Sequence, residues 1–317
     1  MHNTNNLIVS MSPHLRGTLS IEGMMRTFLI GLIPPAVMAI YLFGLKSLLI
    51  MVLSMATAVI VETVIERLTK RTPTYTDGHA LLIGLILALI LPPSVAWWMP
   101  VVGAGIAIIL GKLMFGGLGT YPFNPPLVAW VVLKLSWPER MSVFIAPHTT
   151  DQVLTPLMAL KEDPSLFYSY EIGDLFLGNT AGPLGAVCAV AVLIGAAFLL
   201  YRGVIRWHIP IAFCAGVALF AAILHSINPD IYPPVVFHLL SGGVLLGAFF
   251  IAPEPVTSPV TVKGMLLFGF LAGILTMIIR MWGAYPDGTF YAILIMNAAT
   301  PLFNYLKPKE YGSVKRA

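Results

Sequence analysis

Apolar runs recur along the whole chain, and polar residues fall between them as punctuation. A bilayer core about 30 Å thick needs roughly 20 helical residues, and half-length apolar runs signal re-entrant or broken helices. The pattern predicts ten helical segments. Five lie near residues 24–44, 47–67, 78–91, 97–115 and 122–137, and five near 183–201, 207–226, 233–251, 262–282 and 286–306. Segments 78–91 and 122–137 are short, and 233–251 and 286–306 are punctuated by Gly or Pro. One long polar interruption, Trp137 to Gly178, separates the two sets.

Matched interruptions suggest an internal repeat. Gly23, Gly44 and His79 recur as Gly182, Gly203 and His238, each at an offset of 159 residues. Leu91-Pro92-Pro93 corresponds to Ala252-Pro253-Glu254. Lys112 through Gly119-Thr120-Tyr121-Pro122 resembles Arg280 through Gly283-Ala284-Tyr285-Pro286. An odd number of spans per unit inverts one unit relative to the other, and inverted repeats place binding sites near the midplane at interrupted helices. The expected fold is therefore an all-α polytopic membrane protein of about ten transmembrane helices in two inverted five-helix repeats. It divides into an N-terminal segment 1–23, a first repeat 24–137, a loop 138–181, a second repeat 182–306 and a tail 307–317.

Composition agrees with that class: 58% of residues are hydrophobic, 10% are charged and mean hydropathy is +0.88, too apolar for a water-soluble domain of this length. The first twenty residues are polar and show no cleavable signal. With an inside N-terminus, thirteen Lys/Arg fall on the cytoplasmic side and five (Lys46, Lys134, Arg140, Lys161 and Arg280) outside. Both termini are expected in the cytoplasm and loop 138–181 outside. That distribution accounts for the net charge of +4 without a nucleic-acid partner. Cys188 and Cys214 lie in apolar segments and read as small core hydrophobes.

Ionisable groups inside a membrane are costly and usually functional. Glu22 and Arg26 have the spacing of an ion pair, and Glu62, Glu66 and Arg67 read as snorkelling at a helix end. Asp77, Lys112, Arg280 and Asp287 sit at Gly-rich or broken boundaries. Each reads either as a cap or snorkelling charge or as a ligand to a flavin edge or a cation. Asn124 and Asn297 can donate to and accept from an isoalloxazine ring, or simply bond a neighbouring helix. The histidines show no metal-ligand spacing.

Read in order, Ser12-Pro13-His14, Asp77-Gly78, Leu91-Pro92-Pro93, Tyr121-Pro122-Phe123-Asn124-Pro125, Gly178-Asn179, Gly182-Pro183-Leu184-Gly185, Ile251 to Lys263-Gly264, Tyr285-Pro286-Asp287-Gly288 and Met296-Asn297 carry a resemblance over nearly the whole chain. The chain resembles the D subunit of the Rnf complex, an ion-translocating ferredoxin:NAD⁺ oxidoreductase, a family similar to the B subunit of the Na⁺-translocating NADH:quinone oxidoreductase. The resemblance implies an electron-carrying subunit in the cell (inner) membrane. It also implies FMN held through a phosphoester to a threonine between the repeats, and a second, noncovalent flavin (riboflavin or FMN) among the helices. The matching threonine is Thr155, followed by the family's Pro156-Leu157. Upstream the chain departs: relatives read Asp-x-x-Ser/Thr-x-Ala-Thr, whereas this chain reads Asp151-Gln152-Val153-Leu154-Thr155. Ala186 stands where relatives carry Glu.

Taken on its own chemistry, the Thr155 hydroxyl can form a phosphoester, and Leu154 and Leu157 can cover a ring face; an ordinary Thr-Pro turn is the plainer reading. No GxGxxG loop or CxxC cluster is present, so NADH oxidation and iron–sulfur chemistry fall to partner subunits, a second flavin-carrying subunit among them. The other reading of an inverted five-span repeat, which resembles the urea-transporter plan, is a transporter or channel for a small polar solute without covalent flavin.

Overall fold

The computed structural model describes residues 20–70 and 77–306; Ser12-Pro13-His14, Arg71 and the tail from Lys307 lie outside the described residues. Five helical stretches are long and apolar enough to cross a bilayer: Ile21–Phe43, Leu45–Leu68, Trp98–Phe115, His208–Ile227 and Val262–Trp282. Shorter apolar helices accompany them, and large hydrophobic side chains cover much of the outer surface. The chain is a multi-pass membrane protein.

The first predicted span is jointed. α1 (Ile21–Gly31) begins at Ser20, whose hydroxyl accepts from Gly23 N at 3.0 Å, and stops at Leu32; α2 (Ile33–Phe43) follows with Pro34 and Pro35 in its first turn. Neither proline can donate to the preceding turn, so the helical ladder is interrupted there. Gly44, at φ 75°, makes the turn into α3 (Leu45–Leu68).

α4 (His79–Ile90) is half-length and buried on almost every side. Its exposed carbonyls would be costly in lipid, and the chain after Gly182 supplies donors: Leu184 N bonds Leu91 O at 3.0 Å and Gly185 N bonds Leu89 O at 2.7 Å. That duty corrects the sixth predicted segment. Helix α9 (Ala189–Tyr201) starts six residues later than expected, because residues 183–188 run across the end of α4.

α5 (Trp98–Ile106) continues as a π-helix, Ala107–Lys112, and a 3-10 turn, Leu113–Phe115. α6 (Pro125–Ser136) is capped by Asn124, whose side-chain oxygen accepts from Leu127 N at 3.3 Å. The long polar interruption is itself folded. β1 (Phe144–Ile145) pairs antiparallel with β2 (Gln152–Val153), and α7 (Pro156–Glu162), a 3-10 turn at Pro164–Ser169 and α8 (Ile172–Leu177) follow. Leu157, Leu160, Phe167 and Leu175 pack with Phe237 as a small separate core.

In the second half, α10 (His208–Ile227) packs along α13 (Val262–Trp282) through glycines: a Cβ on Gly269 would sit 2.5 Å from Ile209 O, and Gly216 and Gly273 abut the facing backbone. Small residues permit this backbone approach where lipid supplies no hydrophobic drive for helix association. Between them the eighth segment is broken into α11 (Val235–Leu240), α12 (Val244–Leu246) and a π-helix, Gly247–Ile251. The tenth segment is not interrupted as its proline suggested: α14 (Thr289–Asn304) runs through Pro301.

Candidate functional site

Two cavities gather most of the candidate residues. The first lies between the folded loop, α6 and α14. Thr155 is on its wall, 9% exposed, as the N-cap of α7 rather than part of a simple turn; its Oγ1 accepts from Met158 N at 3.2 Å. Leu157 is buried beside it, while Leu154 is exposed and lines no part of this wall.

The remaining lining is aromatic. Trp130 meets Phe290 and Tyr291 edge-on, with ring centroids 5.1 and 5.0 Å apart, and Tyr285 stacks on Tyr291 at 4.5 Å. Nothing in the apolar pattern marked these rings as a site. The nearest signal was Tyr285, inside the repeated Gly-x-Tyr-Pro signature.

Asp287 closes one side of this cavity. Its Oδ1 accepts from Arg280 Nε and Nη2 at 3.2 and 3.0 Å and from Thr289 N and Oγ1 at 3.1 and 2.7 Å, and its Oδ2 accepts from Gly243 N at 2.6 Å. Arg280 also donates to His238 O at 2.7 Å and Ser241 O at 2.9 Å, the carbonyls at the broken end of α11. The pair therefore joins α11, α13 and the start of α14, and its donors and acceptors are largely committed to protein.

The second cavity, about 240 Å³, lies between α1, α4 and the chain after Ile251. Its walls are apolar, with Met25, Phe28 and Ile83 among them, and its polar end is made by His79, Asn124 and Glu254. Glu254 Oε1 accepts a short hydrogen bond from Tyr121 Oη, and Oε2 accepts from Asn124 Nδ2 at 2.9 Å and Thr257 Oγ1 at 3.0 Å. His79 Nε2 is 3.0 Å from Tyr121 Oη. Since the Tyr121 proton goes to Glu254, Nε2–H must donate to the phenol oxygen, which leaves Nδ1 as a bare acceptor; it is buried without a partner among the described residues.

Asn297 does belong with Asn124: its Oδ1 accepts from Asn124 N at 3.2 Å and its Nδ2 donates to Thr257 O at 3.3 Å. Both asparagines thus tie α6, α14 and the Glu254 loop together. Asp77 accepts from His79 N at 2.7 Å at the head of α4.

Lys112 lines neither cavity. It is fully buried and paired at 2.5 Å with Glu62, also fully buried, which corrects the snorkelling reading of Glu62; Glu66 is buried as well. Glu22 and Arg26 do pair, at 2.5 Å on an exposed face. Both cysteines are free, and no cluster of three potential metal ligands occurs among the described residues.

Glu254 is the principal residue missed from sequence. It stood in plain view between two prolines, Pro253 and Pro255, at the end of a broken span, opposite Pro93 in the repeat comparison.

A flavin fits both places to different degrees. The first cavity offers a hydroxyl for a phosphoester, ring faces for stacking, and Tyr291 Oη, a buried hydroxyl without a bonded partner among the described residues. It encloses only about 70 Å³, the space of a few waters, so a ring tethered at Thr155 would lie largely at the mouth. The second cavity offers greater depth, with a bare imidazole acceptor and a carboxylate for an isoalloxazine N–H.

A family model described as "NQR2, RnfD, RnfE family" matches residues 8–312. The chain is 40% identical over 318 aligned residues to the D subunit of the Na(+)-translocating ferredoxin:NAD(+) oxidoreductase complex of Acetobacterium woodii, an alignment that covers 99% of this chain and 98% of that protein. It is 35% identical over 347 aligned residues to the D subunit of the ion-translocating oxidoreductase complex of Salmonella typhi, covering 97% and 99%. With a match of this extent, and with the quoted motifs gathered around the two cavities, the chain belongs to the NQR2, RnfD, RnfE family.

Proposed function

We propose that the chain is the membrane-embedded D subunit of an Rnf-type complex. It would hold FMN through Thr155 and a second flavin in the cavity at Glu254, and carry electrons between ferredoxin and NAD⁺ partners in step with Na⁺ or H⁺ movement. The observation that carries this reading is the position of Thr155. The residue matching the family's attachment site is an N-cap on the wall of an aromatic cavity, and a phosphoester oxygen there can still accept from Met158 N.

When bound, flavin supplies reversible one-electron carriage. The chain's residues position and insulate it. Trp130, Tyr285 and Tyr291 present ring faces, and Leu157 excludes water beneath Thr155. At the second cavity, His79 and Glu254 present acceptors, Tyr121 holds a proton between them, and Asn124 orients the carboxylate.

The same reading includes two inverted five-helix repeats with both termini in the cytoplasm. Its support is a matching set of contacts: α3 packs on α4 and α5 as α10 packs on α11 and α13, α5 on α6 as α13 on α14, and the opening helices α1 and α2 meet α9. The Lys/Arg asymmetry supports the orientation.

The intact mass of the purified subunit should exceed the chain mass by one FMN less water, and its gel band should fluoresce after denaturation. Thr155→Ala should abolish both while leaving extractable flavin. An unmodified mass in the wild-type chain would remove the covalent site; no extractable flavin would remove the second, and both results together would favour a solute transporter or channel.

A further inference from the structure

A third cavity, about 190 Å³, opens where α9 ends and α10 and α13 begin. It is lined by Arg206, by Ile209 and Met265 in the first turns of the two helices, and by Pro255, Ser258 and Val260 of the loop that carries Glu254. No carboxylate lines it. Glu254, the acid on that loop, turns the other way to Tyr121 and Asn124.

Two polar groups face this cavity uncommitted. Arg206 is exposed and forms no hydrogen bond or ion pair among the described residues. The Ser258 side chain, 7% exposed, has no hydrogen-bonding partner among them either.

The rim fixes the level of the site in the bilayer. Tyr201 is 88% exposed and Trp207 52% exposed at adjoining helix ends, where such rings sit at the headgroup level. Val260 and Val262 are exposed on the same side, apolar surface of the kind that borders acyl chains, and Lys263 adds a second cation.

We propose that this cavity binds the headgroup of an anionic phospholipid from the adjoining leaflet. Arg206 contacts the phosphodiester, Ser258 Oγ donates to a phosphate or glycerol oxygen, and the acyl chains lie over Val260 and Val262. Basic pockets between membrane helices suit such headgroups. Pro255 is on the wall of both this cavity and the one at Glu254, so an occupied headgroup site braces the loop that presents Glu254. The site rests on membrane embedding and on its own residues, and holds whether or not flavin is bound.

The test is native mass spectrometry of the delipidated full-length chain titrated with phosphatidylglycerol and with phosphatidylcholine of the same acyl composition. Phosphatidylglycerol should bind at least about fivefold more tightly, and Arg206→Gln should remove about that factor, the worth of one basic residue near an anionic surface. Ser258→Leu, which fills the cavity, should abolish the preference with an unchanged unfolding midpoint. Arg140→Gln, beside Trp98 at the other end of the bundle, should leave it intact. Equal binding of the two lipids, or no effect of Arg206→Gln, overturns the proposal. Displacement by millimolar inorganic phosphate assigns the site to free phosphate instead, and a protein partner crosslinking at position 206 in a complex that retains no phosphatidylglycerol assigns it to protein contact. Either result overturns the lipid assignment.

Discussion

The cavity at Thr155 and the cavity at Glu254 are built by opposite means. At Thr155 the charges are spent: Arg280 and Asp287 satisfy each other and the ends of α11 and α14, and the wall left for a ligand is aromatic. At Glu254 the walls are aliphatic and the polar end is underfilled, with His79 Nδ1 unpartnered among the described residues beside a carboxylate. The difference teaches that the first place depends on a covalent tether for occupancy, whereas the second can hold a ligand by hydrogen bonds.

The sharpest break should come from Arg280→Met. It leaves the Asp287 carboxylate and two carbonyls without their cation, and breaking a buried pair costs about 3–5 kcal/mol. The thermal midpoint of the detergent-solubilised chain should fall steeply, and the Thr155 cavity should be lost with it. If stability is unchanged, the ion pair does not hold the outer region together.

Glu254→Gln should be milder and confined to the other cavity. A Gln amide facing Asn124 Nδ2 opposes donor to donor, and one unsatisfied buried group costs about 1–3 kcal/mol. Extractable flavin should therefore drop roughly tenfold or more, with the mass increment at Thr155 intact. Equal loss of both flavins would erase the distinction between the cavities.

The smallest effect concerns the loop alone. The Ser165 backbone N–H, joined by its hydroxyl, holds the Asp163 carboxyl below its ordinary value of 3.8. A lowered native pKa adds stability that is present above 3.8 and is lost as pH falls through the lowered native value. Asp163→Asn should flatten that acid-side dependence of loop proteolysis without altering either flavin. A variant that retains the wild-type pH response would show that Asp163 does not set it.

How much of this was legible in the sequence depends on which force decided each element. Apolar runs located the long helices, because burial in lipid acts on the run as a whole. They misjudged α9, since residues 183–188 are recruited by the open end of α4, a partner nearly a hundred residues away in the chain. They missed the joint at Leu32 although Pro34 and Pro35 announced it. Asn124 and Asn297 were singled out from residue chemistry and do meet each other. Glu254 was passed over because an acid between prolines at a helix end reads as loop. Its significance comes from Tyr121, Asn124 and His79, which only the fold brings to it.

The π-helical stretch Ala107–Lys112 bears on how this scaffold tolerates change. Each residue of a regular helix turns the next by about 100°, and a π-bulge is one residue absorbed into a single wide turn. Lys112 closes that turn. Remove one position between Ala107 and Gly111 and its ammonium would swing from Glu62 towards hydrocarbon, with no alteration in the amino acids that form the pair. At this point the chain depends on a count as well as a composition: drift in side chains is survivable here, whereas a single-codon deletion is not.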